Sequence, residues 1–148
     1  MNNKSSKQIL IISDIPKKKL NINFNDNINF FKLSHFNDIK KIKFTKKIKN
    51  FYKIIFIFSD IDYLQLTSKI SKYSLCLEMV KKKYSTKKIT FLDLENLRVN
   101  KNNLVYSKLK KKIFTEMIDS YNNMFSLNLD LKFINEKKFL YFLKKELK

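Results

Sequence analysis

Short apolar runs alternate with longer amphipathic segments along this chain. Residues 8–13, 53–58 and 89–94 are almost continuously apolar and rich in β-branched isoleucine, but each run is too short for a buried helix. Such runs are typical of strands that are buried on both faces. An alternation of apolar and polar residues predicts further strands over 20–24, 28–33 and 127–133.

The segments between these runs have the periodicity of helices. One apolar stripe consists of Leu66, Ile70, Tyr73, Leu77, Val80 and Tyr84, and the lysines of that segment, including Lys69, fall largely off it. A second stripe consists of Tyr106, Leu109, Ile113, Met117, Tyr121 and Met124. Asn135 is predicted to cap a last helix over 136–147, and Ser34 to cap one over 36–50.

The regular alternation of strands and helices predicts the fold class. Parallel strands need crossover connections, and helices of this length supply them. We therefore predict an α/β fold formed by one domain over residues 1–148. Its sheet is expected to be mostly parallel, to have about four to six strands and to have helices on both faces. No internal repeat and no linker interrupts the sequence.

The composition is extreme: glycine, alanine and tryptophan are absent, and Arg98 is the only arginine. The missing residues have G/C-rich codons, whereas the abundant Lys, Asn, Ile and Phe are encoded by A and T. This bias indicates an AT-rich genome, and we expect the protein in the cytoplasm of a reduced-genome bacterium such as an endosymbiont, or in an organelle matrix. Without glycine, the phosphate-binding loops of standard dinucleotide and P-loop sites are excluded.

The formal net charge of +19 favours a polyanionic partner, because lysine neutralises phosphate and releases counterions. The same codon bias also raises the lysine content without any ligand. The densest basic segment interleaves lysine with isoleucine and phenylalanine, which suits RNA binding but equally suits the solvent face of an amphipathic helix. We predict nucleic-acid contacts from Lys40, Lys41, Lys43, Lys46, Lys47, Lys49 and Arg98. A dedicated binding surface is expected to gather its charge on one face.

Acidic residues follow three of the predicted strands. In a parallel sheet the carboxyl ends of neighbouring strands meet at one edge, where ligands bind. Oxygen ligands in that arrangement suit Mg²⁺. The alternative interpretation is that aspartate favours turns and caps the following helix. The candidate metal ligands are Asp14, Asp60, Asp62 and Asp93.

Cys76 and His35 are the only residues of their kinds, which excludes an internal disulfide framework and paired-histidine zinc sites. We expect Cys76 to be a small core residue, His35 to be partly buried or capping, and no disulfide-linked partner. The N-terminal residues are too polar for a signal peptide, and no apolar run approaches the roughly 20 residues of a membrane helix.

Together these features predict a basic structural or accessory component of an RNA- or DNA-handling assembly, such as a ribonucleoprotein of the ribosome or a replication assembly. Its partners would be RNA or DNA and other proteins of that assembly, and it would need no cofactor and no catalysis. The alternative is a Mg²⁺-dependent or substrate-binding α/β enzyme that uses the acidic strand ends, or a degenerate relative of one.

Overall fold

The computed structural model describes residues 8–23, 27–33, 51–59, 66–81, 88–95 and 101–148. Within these ranges the strands are β1 (Ile9–Ser13), β2 (Ile28–Lys32), β3 (Lys53–Phe58), β4 (Lys88–Glu95) and β5 (Leu129–Asn135). The α-helices are α1 (Leu66–Lys81), α2 (Lys101–Phe125) and α3 (Phe139–Glu146). Short 3₁₀ helices occupy Lys17–Lys19 and Glu136–Lys138.

The five strands form one sheet in the order β2-β1-β3-β4-β5, and every neighbouring pair is parallel. The predicted α/β fold with a parallel sheet is therefore confirmed. From β1 the chain first moves to β2 on one side and then returns to β3 on the other side. The carboxyl ends of β1 and β3 thus flank the point where the direction of winding reverses, which is where α/β sheets commonly bind ligands.

Side chains on alternate positions of the strands face two separate cores. Ile54, Phe56 and Phe58 of β3 belong to the core under α1 and α2. Ile55 and Ile57 belong to the core on the opposite face, which α3 and Leu20 help to cover. Helices therefore lie on both faces, as predicted, and β1 and β3 are buried along their whole length because both of their faces are covered.

The chain has no glycine or alanine, and stacked aromatic rings occupy the crossing of α1 and α2. The rings of Tyr73 on α1 and Phe114 on α2 stack with their centroids 4.0 Å apart. Tyr73 also stacks on Phe58 at 4.4 Å, and Phe56 on Phe91 at 4.6 Å. Stacked rings bury large apolar areas, so this group joins both helices to the central strands.

One prediction about local structure is wrong, and a second is right only in part. Residues 20–23 form no strand, because Asn21 has a left-handed backbone with φ 45° while Leu20 turns into the core. The predicted stripe of α2 is right only in part: Ile113, Met117 and Tyr121 pack against the core, whereas Leu109 and Met124 are 47% and 72% exposed. The positions buried instead are Lys110, Phe114 and Ile118, which follow one another at helical spacing.

The remaining local predictions have mixed outcomes. Cys76 is completely buried, as expected, and burial raises the pKa of its thiol. The side-chain carbonyl of Asn135 accepts a hydrogen bond from the backbone N–H of Lys137 at 2.8 Å, so Asn135 caps the turn that leads into α3. The helix predicted over 36–50, with its cap at Ser34, and His35 lie outside the described residues.

Candidate functional site

Two of the four predicted metal ligands are among the described residues, and both lie toward the carboxyl edge of the sheet. Asp14 directly follows β1. Asp93 lies two residues before Glu95, the last residue of β4. Asp60 and Asp62 lie outside the described residues. The same is true of Arg98 and of the predicted nucleic-acid contacts Lys40, Lys41, Lys43, Lys46, Lys47 and Lys49.

Asp93 is the centre of a completely buried polar cluster. Its carboxylate accepts hydrogen bonds from the Nζ of Lys69 at 2.9 Å and from the Nζ of Lys110 at 3.3 Å. Its second oxygen accepts a hydrogen bond from the hydroxyl of Tyr73 at 2.6 Å. Burial, together with the negative charge of Asp93, raises the pKa of Tyr73, so the phenol remains a donor.

The side chains of this cluster are 0–2% exposed, so a substrate in solution does not reach them. Lys69 and Tyr73 come from α1, and Lys110 comes from α2. The carboxylate of β4 therefore holds both helices against the sheet. An unpaired carboxylate is strongly disfavoured in such a place, and this explains why Asp93 is in contact with lysine ammonium groups.

Asp14 is held by the end of β3. Its Oδ1 accepts a hydrogen bond from the backbone N–H of Ser59 at 2.7 Å, and its Oδ2 accepts one from the Ser59 hydroxyl at 3.0 Å. The Nζ of Lys72 lies 3.8 Å from Oδ2. Burial raises the pKa of Asp14, and the hydrogen bonds of Ser59 and the charges of Lys72 and Lys69 offset this effect only in part.

Ser59 and Lys69 connect the two aspartates. The carbonyl oxygen of Ser59 accepts a hydrogen bond from the Nζ of Lys69 at 2.9 Å, and the same ammonium group contacts Asp93. Asp14 and Asp93 are thus brought into one network, but lysine ammonium groups and hydroxyls occupy the positions around their oxygens. No group of three or more His, Cys, Asp or Glu side chains in the described ranges is arranged to hold a metal ion.

Exposed lysines surround this network at the carboxyl edge of the sheet. Lys17, Lys18 and Lys19 follow β1, Lys32 ends β2, and Lys137 and Lys138 follow β5; all six side chains are exposed. Ammonium groups presented in this way bind phosphate as point charges. Among the described residues at the carboxyl edge, which the acidic strand ends suggested as a cation site, the fully exposed charged side chains named here are therefore all lysines.

Lysines are also exposed elsewhere on the described part of the chain. Lys88 begins β4 at the amino edge of the sheet. Lys53, which begins β3, forms a buried salt bridge of 2.7 Å with Glu146, the last residue of α3. The exposed Lys144, Lys145 and Lys148, which are close to Glu146 in sequence, therefore lie near that same edge. The positive charge is therefore not confined to one face, contrary to the expectation for a dedicated binding surface.

The buried lysines are the residues that sequence reasoning missed. Lys69 was predicted to lie off the apolar stripe of its helix but is only 1% exposed, and Lys110 was not distinguished from its neighbours. A usable signal was present in β4, where Asp93 interrupts an apolar run, because a carboxylate inside a buried strand requires a cation from another element. Lys53 and Glu146 form a second such pair, to which Lys132 adds a salt bridge of 2.8 Å.

Comparisons of this chain with protein-family models, with curated proteins and with solved structures find no match. No helix among the described residues has both the length and the apolar character needed to cross a bilayer. The geometry of the sheet and of its carboxyl edge is therefore the basis for the functional proposal.

Proposed function

We propose that this protein is a basic structural or accessory component of an RNA- or DNA-handling assembly and that it binds phosphate groups through lysine. The observation that supports the proposal is the set of exposed lysines at the carboxyl edge, where ends of β1, β2 and β5 present positive charge. This is the edge at which α/β sheets commonly bind ligands.

The described acidic residues that end β1 and β4 do little to reduce this charge, because they are already paired with lysines. Asp93 is completely buried between Lys69 and Lys110. Glu95 forms a salt bridge of 2.7 Å with Lys111. Within the described part of the chain, the exposed lysines after β1 and at the end of β2 therefore form a positively charged surface. A nucleic acid that lies against it would gain phosphate contacts and release counterions.

The proposal is tested by measuring the affinity of the full chain for a structured RNA and for a DNA duplex over a series of salt concentrations. Four to six phosphate contacts on a duplex would make the plot of log K against log salt fall with a slope of about −4 to −5. Heparin is the control polyanion, since any strongly basic protein binds it. Weak binding at physiological salt, or equal affinity for heparin and for nucleic acid, would overturn the proposal.

A second candidate function is a Mg²⁺-dependent or substrate-binding enzyme. One observation favours it: Asp14 has a raised pKa and lies beside the reversal between β1 and β3, and perturbed carboxyls in such positions are often functional. Calorimetric titration of the protein with Mg²⁺ tests this candidate. Binding that disappears in Asp14→Asn would support the Mg²⁺-dependent form of this candidate, and the absence of a binding isotherm would eliminate that form.

A further inference from the structure

An open groove of about 650 Å³ lies beside β2, on the sheet face that α3 also covers in part. Its floor is apolar and consists of Pro16, Ile22 and Phe30, whose side chains are all half-buried. A volume of this size is within the range of sites that hold small molecules and single nucleotides. The floor therefore offers a flat apolar surface that is accessible from solvent.

The rim of the groove is basic. Lys17, Lys18 and Lys32 line it, and all three side chains are exposed. None of the described residues that line the groove is acidic. Lys17 and Lys18 come from the 3₁₀ helix after β1, whereas Lys32 comes from the end of β2, so positive charge reaches the groove from two separate elements.

The backbone around the groove is fixed by tertiary packing. Leu20, directly after the 3₁₀ helix, is completely buried, and Asn21 then has a left-handed backbone conformation with φ 45°. Asparagine tolerates this conformation better than most residues, and a chain without glycine has few alternatives. The burial of Leu20 thus anchors the backbone between Lys17 and Lys18 of the rim and Ile22 of the floor.

We propose that this groove binds a nucleotide of a single-stranded nucleic acid, with the base against the apolar floor and the flanking phosphates against the lysines. The inference rests on the proposed function and specifies the form of nucleic acid that this edge recognises. A duplex hides the faces of its bases within the stack, so it presents only phosphates to the groove. An unpaired base presents a face that apolar and aromatic side chains bind, whatever its sequence.

The test compares two variants of the full chain that each lose two exposed lysines. Lys18→Gln/Lys32→Gln removes charge from the rim of the groove, and Lys144→Gln/Lys148→Gln removes the same charge near the opposite edge of the sheet. Circular dichroism establishes that both variants fold. Affinity is measured by fluorescence anisotropy with labelled oligouridine and oligothymidine of about 12 nucleotides, a length that covers typical single-strand sites.

Loss of two single-strand phosphate contacts reduces the salt slope by about 1.4, which corresponds to a roughly ten- to hundredfold lower affinity at low salt. We expect this loss in Lys18→Gln/Lys32→Gln and a loss of less than about threefold in the control variant. A strand of the same length made entirely of abasic sites tests the base contact. We expect the wild-type protein to bind it at least about fivefold more weakly than oligouridine or oligothymidine.

The outcomes separate this inference from the proposed function. If the wild-type protein binds nucleic acid but both lysine variants lose affinity equally, the groove is not the site, while the proposed function stands. Equal affinity for the abasic strand would likewise overturn the base contact. If the wild-type protein binds none of these nucleic acids at physiological salt, both proposals fail. Oligodeoxyuridine has the same base as oligouridine, so a difference in affinity between these two strands shows whether RNA or DNA supplies the bound nucleotide.

Discussion

Replacement of Asp93 by asparagine is the most informative test of how the fold is held together. The substitution keeps the shape of the side chain but removes its charge. Lys69 and Lys110 would then remain buried, each 1% exposed, without the carboxylate that lies 2.9 Å and 3.3 Å from their ammonium groups. Removing one partner of a buried ion pair costs about 3–5 kcal/mol, since it leaves an uncompensated charge behind.

The hydrogen bond from Tyr73 to Asp93 is also weakened, so we expect Asp93→Asn to lower the free energy of unfolding by about 4 kcal/mol. For a chain of this size, that corresponds to a fall in Tm of about 10 °C. The loss is a large fraction of the stability of a typical domain, which is about 5–15 kcal/mol. The assay is urea unfolding followed by circular dichroism, with Tm from a thermal scan.

Glu95→Gln is the matched control, because Glu95 is also an acid of β4 and pairs with a lysine of α2. Its side chain is 26% exposed and that of its partner Lys111 is 46% exposed, so the pair is screened by solvent. We expect this control to cost no more than about 1 kcal/mol. If Asp93→Asn is no more destabilising than Glu95→Gln, the assignment of Asp93 as the anchor of both helices is refuted.

Three further substitutions test other parts of the structure. Burial alone would raise the pKa of Glu146, but hydrogen bonds and charges from Lys132 and Lys53 outweigh it and lower the pKa from 4.5 to about 2. The stability from this group is therefore present above about pH 4.5 and lost toward pH 2. Across that window the urea midpoint of Glu146→Gln should fall less steeply than that of the wild-type protein. An unchanged dependence of the midpoint on pH would contradict the assignment. Ser126 directly follows α2 with a left-handed φ of 51°, and the backbone N–H of Leu127 donates a hydrogen bond to the carbonyl oxygen of Asn122. Glycine adopts this φ without strain, so Ser126→Gly should raise the free energy of unfolding by about 1 kcal/mol. A neutral or negative effect counts against this. Tyr121→Phe removes a 2.6 Å hydrogen bond to Glu78 that joins α1 and α2, and we expect chemical unfolding to show a loss of about 1 kcal/mol, with no loss as the contrary result.

The sheet could be predicted from the sequence because its signals are local. Each central strand is buried on both faces, and so β3 is a continuous apolar run that needs no partner to be recognised. The apolar stripe of α1 could be predicted for the same reason, and its members Tyr73, Leu77 and Val80 are all buried in the core. The alternation of strands and helices then favoured parallel pairing.

The buried lysines could not be predicted from local pattern. Periodicity assigns lysine to the solvent side, whereas Lys69 and Lys110 are drawn inward by a carboxylate that lies 24 and 17 residues away along the chain. In α2, Lys110 is buried while the neighbouring Leu109, which the apolar pattern predicted to be buried, is 47% exposed. Long aliphatic stems allow lysine to fill apolar space when its ammonium group reaches a counter-charge. The pairing of Asp93 with these lysines therefore depends on the tertiary fold and not on the local sequence.

The central claim is that the carboxyl edge of the sheet is the edge that meets phosphate. It is tested most directly by mapping backbone amide chemical shifts of the full chain on addition of single-stranded RNA or DNA. The account predicts that the largest changes fall on Lys17–Lys19, Lys32, Lys137 and Lys138, with little change at Lys88, Lys144, Lys145 and Lys148 of the amino edge. Changes of equal size at both edges, or changes confined to the amino edge, would contradict it.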